Sequence, residues 1–157
     1  MFNREELPYR LSTLGVLKNQ SGQFLLVQKL AYQDDQWSFP GGGIDEGETP
    51  RQAVERELQE ELGTASFSVI AQSDIGYRYE WPDDIIQKQY NKKGKWWRGQ
   101  QIIFLLAEFT GDKSDIHIQK SELKNSRWVT AKELEKHLIF PNQYEMTQKV
   151  LADWKLL

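Results

Sequence analysis

The sequence predicts a layered α/β or α+β domain. Three observations carry that prediction: β-branched and aromatic runs on both sides of one well-capped central helix, two helical segments that close the chain, and enough apolar residues for a core. Of 157 residues 39% are hydrophobic, and six Trp, six Tyr and seven Phe supply more aromatic surface than a disordered chain carries. A domain of this size buries roughly 68–70% of its unfolded surface.

Leu11 to Leu17 and Phe24 to Val27 are short apolar runs, and the turn-forming Asn19-Gln20-Ser21-Gly22 between them predicts a hairpin. A strand-breaking loop is expected next, ending at Phe39-Pro40-Gly41-Gly42-Gly43. Thr49 is then an N-cap with Gln52 in capping-box spacing and Pro50 at the first helical position, and Gly63 stops the helix Pro50–Leu62. Ser66 to Gln72, Ile75 to Glu80, Gln100 to Phe109 and Ser126 to Val129 have strand-like content. Gly111-Asp112 is a turn. Ala131 to His137 and Asn142 to Trp154 are the closing helices. No repeat, low-complexity tract or linker divides the chain, so residues 1–157 are expected to form one domain.

There is no cysteine, which excludes a disulfide framework, a thiolate metal site and a cysteine nucleophile. The opening residues Met1 to Glu6 hold no apolar stretch, and the longest apolar run, Ile102 to Ala107, is far short of the ~20 residues a membrane span needs. No membrane partner and a cytoplasmic location are expected. A net charge of −3 argues against long nucleic acids as partners, but the charge is unevenly spread. Residues 45–61 hold seven acids against two arginines, whereas residues 88–98 hold Lys88, Lys92, Lys93, Lys95 and Arg98 and no acid. The first region attracts cations and the second attracts phosphates.

On the helix Pro50–Leu62, Val54, Leu58 and Leu62 fall on one stripe, and Glu57, Glu60 and Glu61 fall on its neighbour. Like charges at this spacing cost about 0.2–0.5 kcal/mol per pair, so the cluster needs a reason. A hard cation is one, because magnesium takes oxygen ligands and keeps places for substrate phosphates. A solvated helix face is the alternative while the helix is considered alone. The preceding Gly41-Gly42-Gly43 adds backbone that can approach a cation or phosphate closely.

The segment from Gly42 to Thr64 resembles the Nudix box. It has glycine, five residues, Glu48, seven residues, then Arg56-Glu57-Leu58-Gln59-Glu60-Glu61-Leu62-Gly63, with Thr64 standing where an aliphatic residue is usual. The resemblance implies a Nudix-type α/β/α sandwich with a mixed β-sheet and a catalytic loop–helix–loop. It also implies magnesium, or manganese, held by Glu57, Glu60 and Glu61 with help from a carbonyl of Gly41 or Gly42, and oriented by the pair Arg56 and Glu48. A glutamate takes the proton of the attacking water, and the resemblance leaves open which one.

Tyr9-Arg10, Trp37-Ser38-Phe39-Pro40, Tyr79-Glu80-Trp81-Pro82 and Trp97-Arg98-Gly99-Gln100 are similar to the Nudix branch that contains dinucleoside polyphosphate hydrolases and bacterial RNA 5′ pyrophosphohydrolases. That likeness implies Glu122 as a further metal ligand and Phe140 as a base-stacking residue, with Arg10, Tyr79 and Gln100 at the substrate. The chain departs from the branch at Gly41, where Pro-Gln-Gly-Gly is usual, at Ile102 and at Pro141. Lys92, Lys93, Lys95 and Arg98, interleaved with Tyr90, Trp96 and Trp97, form the pattern of a nucleotide grip, cations for phosphates and rings for bases. His117 and His137 are isolated and read as structural. The expected activity is magnesium-dependent hydrolysis of a phosphoanhydride bond in a dinucleoside polyphosphate or an RNA 5′ triphosphate end. Two alternatives stand beside it: a (d)NTP pyrophosphohydrolase, and a catalytically silent nucleotide-binding regulatory module.

Overall fold

The computed structural model describes residues 2–157. Its strands are β1 (Tyr9–Lys18), β2 (Phe24–Lys29), β3 (Gly41–Gly43), β4 (Phe67–Glu80), β5 (Gly99–Phe109) and β6 (Leu123–Val129). Its helices are α1 (Pro50–Leu62), α2 (Asp83–Lys93), α3 (Leu134–His137) and α4 (Gln143–Asp153). The strands form one mixed sheet in the order β4-β5-β1-β2-β6, with β3 paired beside β1. β1 runs parallel to β5 from Tyr9↔Gly99 to Lys18↔Glu108. Its other edge is divided: β3 takes Ser12 to Leu14, and β2 continues from the hairpin end at Lys18↔Phe24.

Because side chains alternate along a strand, β1 sends Leu17 to one face of the sheet and Val16 to the other, both fully buried. On the first face Val54, Leu58 and Leu62 of α1 pack against Leu17, Leu25, Val27, Leu105 and Ala107. On the second, Leu134 of α3, Leu138 just after it, and Val150 and Leu151 of α4 pack against Val16, Phe24, Leu26, Phe104 and Val129. The result is the α/β/α sandwich with a mixed sheet. Each fully buried Leu or Val contributes about 1.5–3 kcal/mol by leaving water. α1 is bounded as its sequence predicts: the Thr49–Gln52 capping box is formed, and Gly63 closes the helix in the left-handed conformation at φ 66°.

Several expectations need correcting. Gly41 to Gly43 is not loop but strand, because the ladder with β1 satisfies backbone groups that glycine's weak strand propensity would leave open. The two strands foreseen in residues 66–80 are one, β4, whose register against β5 shifts between Gln72 and Gly76. There Ser73 Oγ accepts the N–H of Phe104. Residues 83–93, for which no helix was predicted, form α2, which buries only Ile86 and so shows little helical stripe in sequence. Ala131 to His137 divides into a 3₁₀ turn and the short α3, and α4 begins one residue late because Asn142 takes φ 64°.

Leu58 ties α1 to the sheet, so Leu58→Ala is expected to lower stability by about 2–5 kcal/mol in urea unfolding. A loss below 1 kcal/mol would contradict the packing described here.

Candidate active site

β3 lies along the face of α1 that carries the glutamates. The Gly41 N–H donates to Glu61 Oε2 at 2.8 Å, and Glu61 is only 2% exposed. Gly42 faces Glu57 so closely that an added Cβ would sit 2.6 Å from the Glu57 carboxyl carbon, so any side chain there would displace that carboxylate. Arg56 gathers the rest. Its Nε donates to Glu48 Oε2 at 2.8 Å, its Nη2 to Glu48 Oε1 and Gly43 O at 3.0 Å, and its Nη1 to Glu57 Oε1 at 2.9 Å. Asp45 and Glu60 each reach the same guanidinium at 3.4 Å. The structure thus brings Glu48, Arg56, Glu57, Glu61, Gly41 and Gly42 together, with Glu60 at the exposed margin. Glu122 is exposed on the turn before β6, where its carbonyl accepts the Leu30 N–H, and its charge reaches both Glu57 and Glu61.

This crowding sets the electrostatics. Burial, reinforced by the Glu57 charge, pushes the Glu61 carboxyl up to about 8. Burial also raises Glu57, against the pull of Arg56. The Arg56 hydrogen bonds hold Glu48 below the usual carboxylate range. Among the described residues, no three acidic or imidazole side chains form a finished metal cage. The donor set nevertheless fits a divalent cation: these are oxygen ligands, two of them shifted toward the protonated form by burial, beside glycine backbone with no Cβ in the way.

Two grooves flank this centre. The aromatic groove, about 610 Å³, is lined by Tyr32, Tyr77, Tyr79, Trp81, Phe140 and Lys29 among others. The basic groove, about 560 Å³, lies between Arg10, Lys93, Lys95 and Trp97 on one side and residues 43–48 on the other. Sheet register joins them, since Arg10 pairs with Gln100 and Gln100 with Tyr79 across three strands. Arg10, Gln100 and Tyr79 thereby make one row on the face that carries α4.

Other predicted contacts are placed differently. Arg98 is held by Glu80 at 2.9 Å, with Glu5 at 3.7 Å, and is not a free phosphate-binding cation. Lys92 is exposed and borders neither groove. Tyr90 and Trp96 stack on each other at 3.9 Å, so their faces are partly taken. Phe140 meets Tyr32 edge-on at 5.1 Å in the aromatic groove. His137 packs edge-on to Trp37, and His117 lies against Gly63, both away from the carboxylates. Lys29 was missed by sequence reasoning: it ends β2, lines the aromatic groove and carries the positive charge that acts on Glu61. A lone lysine at a strand end gave no signal for it.

A glycine strand laid on a helix of glutamates, inside a mixed sheet sandwiched by helices, defines a Nudix hydrolase. The chain belongs to the Nudix family: the NUDIX domain matches residues 8–150, and the protein is a hydrolase acting on phosphorus-containing acid anhydrides. It is 37% identical to the RNA pyrophosphohydrolase of Sphingopyxis alaskensis, over 88% of this chain and 89% of that one. To the RNA pyrophosphohydrolase of Rickettsia prowazekii it is 33% identical, over 97% and 93%. Among solved structures, the E. coli dihydroneopterin triphosphate pyrophosphohydrolase superposes with a TM-score of 0.69 at 19% identity, over 92% of this chain and 99% of that one. A C. elegans Ap4A hydrolase binary complex gives 0.66 at 18%, over 93% and 99%. At such identities these two likenesses concern the fold. No described helix is long and apolar enough to cross a membrane.

The raised Glu61 carboxyl has a stability signature in metal-free protein. Its folded state keeps a proton that the unfolded chain releases near 4.5, so stability falls as pH rises from about 4.5 to about 8. The slope is at most about 1.4 kcal/mol per pH unit for one proton. Thermal unfolding across this range should show the decline, and Glu61→Gln should flatten it. An unchanged slope in the variant would contradict the assignment.

Proposed function

We propose that this chain is a magnesium-dependent, cytoplasmic pyrophosphohydrolase acting on the 5′ triphosphate end of RNA, with dinucleoside polyphosphates as a second substrate class. The observation that carries the chemistry is the crowding of Glu57 and Glu61 beneath Gly41 and Gly42, which leaves negative charge with no complete protein partner. The choice of RNA is supported by relatives named RNA pyrophosphohydrolase that match the chain over nearly its whole length. Dinucleoside polyphosphates are favoured over free (d)NTPs by the second groove, which the row Arg10, Gln100 and Tyr79 connects to the aromatic one.

Glu57, Glu60, Glu61 and Glu122, with a carbonyl of Gly41 or Gly42, would hold the magnesium. When bound, it neutralises diphosphate oxygens and lowers the pKa of the attacking water. The water oxygen bonds to phosphorus, the bridging P–O bond breaks, and the bridging oxygen leaves with the departing phosphate group. One of the glutamates accepts the water's proton. Arg56 fixes the carboxylates, since its fork is bidentate to Glu48 and also reaches Glu57. The base enters the aromatic groove between Phe140, Tyr32 and Tyr79, and Gln100, Lys29 and Arg10 lie where the phosphates pass. A regulatory module without catalysis is disfavoured, because every box glutamate is present.

Turnover should require a divalent cation and vanish in excess chelator, because carboxylates crowded in a partly desolvated site repel one another without one. Glu57→Gln and Glu60→Gln should each lower turnover roughly a hundredfold or more with the fold intact, the amide keeping volume and losing the charge. The test is product analysis on triphosphorylated RNA, diadenosine polyphosphates, nucleoside triphosphates and nucleotide sugars. Full activity in chelator, or near-normal rates in both variants, would refute the site, and a preference for nucleoside triphosphates would refute the substrate class.

A further inference from the structure

We infer that the basic groove is a second phosphate subsite, which takes the terminal phosphates of an extended substrate beyond the bond that is cut. The inference rests on reading the carboxylate centre as a phosphoanhydride hydrolase. It starts from Arg10. That guanidinium is half-buried, lies over the Trp97 ring with its carbon 5.4 Å from the ring centroid, and has its Nη2 2.5 Å from where a Gly43 Cβ would be. Arg4, Arg51, Arg56 and Arg98 all pair with carboxylates. Among the described residues Arg10, Lys93 and Lys95 make no ion pair, although all three line the same groove. A guanidinium placed over an aromatic ring with no carboxylate partner is suited to phosphate oxygens.

On the opposite wall Asp45 and Glu48 turn onto Arg56, at 3.4 Å and 2.8 Å, and Glu46 makes no ion pair among the described residues. None of the three carboxylates takes up Arg10, Lys93 or Lys95 in an ion pair. The helix that leads to the lysines is tied down at both ends. Arg4 Nη1 donates to the Trp81 carbonyl at 2.8 Å and Arg4 pairs with Asp83 at the start of α2. At the other end of the helix Phe2 packs on Trp96 at 5.3 Å, and Trp96 stacks on Tyr90 at an interplanar angle of 8°. Residues 2–4 thus strap α2 to the sheet, and Gly94, at φ 74°, turns the chain from Lys93 to Lys95 at the groove.

The row Tyr79, Gln100, Arg10 runs from the aromatic groove to this one. Gly43, at the rim under Arg10, is next to the Gly42 that touches Glu57. With a base in the aromatic groove and the reacting phosphorus at the glutamates, the remaining phosphates lie toward Arg10, Lys93 and Lys95. The groove is open and has Trp97 in its wall, so a group carried on the last phosphate can lie beyond them.

The test is calorimetric binding of inorganic tripolyphosphate to the full chain in excess chelator, at two salt concentrations. Wild type should bind, and Lys93→Ala with Lys95→Ala should weaken binding about tenfold or more and make the dependence on salt shallower, because fewer phosphate contacts release fewer counterions. A charge-matched control, Lys113→Ala with Lys149→Ala, on exposed positions outside both grooves, should bind as wild type does. Lys93→Gln with Lys95→Gln repeats the test with less change of shape, and unfolding midpoints show whether each variant is folded. Equal binding by wild type and the groove variants, or an equal loss in the control, overturns the subsite. The readout involves no turnover, so failure of the hydrolytic reading would appear in the substrate panel and not here.

Discussion

Carboxylates placed where water cannot fully solvate them dictate how α1, β3 and the sheet are arranged. Glu61 is almost completely buried beside Glu57, and among the described residues the direct polar contacts of their carboxylates are a glycine N–H and one arm of Arg56. Burial of charge with so few partners is costly enough that the groups shift toward protonation. The cost is tolerated because α1 is fixed by its opposite stripe. Val54, Leu58 and Leu62 are fully buried against the sheet, so the helix cannot roll its glutamates into solvent without exposing them. The glycine strand completes the arrangement. With any side chain at Gly42, β3 and Glu57 could not both keep their positions.

The sheet then converts a local motif into a site with direction. The parallel pairing of β1 with β5 sets Arg10 beside Gln100, and the antiparallel pairing of β4 with β5 sets Gln100 beside Tyr79. A one-residue slip in either ladder would send these side chains to the α1 face and separate the two grooves. The divided edge of β1 has a related effect: β2 leaves room for β3 by pairing only at the hairpin end, which lets the glycines approach α1. Outside this frame α2 buries little of its own, and residues 2–4 hold it against the sheet edge through Arg4 and Phe2.

How much of this was legible in the sequence follows from the range of the interactions. α1 could be read to the residue, because its cap, stripe and stop are local and its chemistry lies within the same contiguous segment. Arg10, Tyr79 and Gln100 could be named singly from their similarity to a Nudix branch, but their row depends on a ladder between segments about ninety residues apart in the chain, which no local pattern encodes. β3 was hidden because three glycines carry no alternation. α2 was hidden because a helix with one buried residue shows no period. Charge counting over residues 88–98 identified a basic region but could not separate Arg98, neutralised by Glu80, from Lys93 and Lys95, which border a groove. Lys29 entered only through its position in space.

If a divalent cation occupies the Glu57–Glu61 cluster, it takes the place of a proton. Magnesium titration calorimetry on metal-free protein near pH 7, run in two buffers of different ionisation enthalpy, measures this directly. Saturable binding with net proton release is expected, because burial pushes the Glu61 carboxyl up to about 8 in metal-free protein. Glu61→Gln is expected to lose the proton release and weaken binding. Binding with no proton release in wild type, or binding of equal strength in the variant, would contradict that exchange.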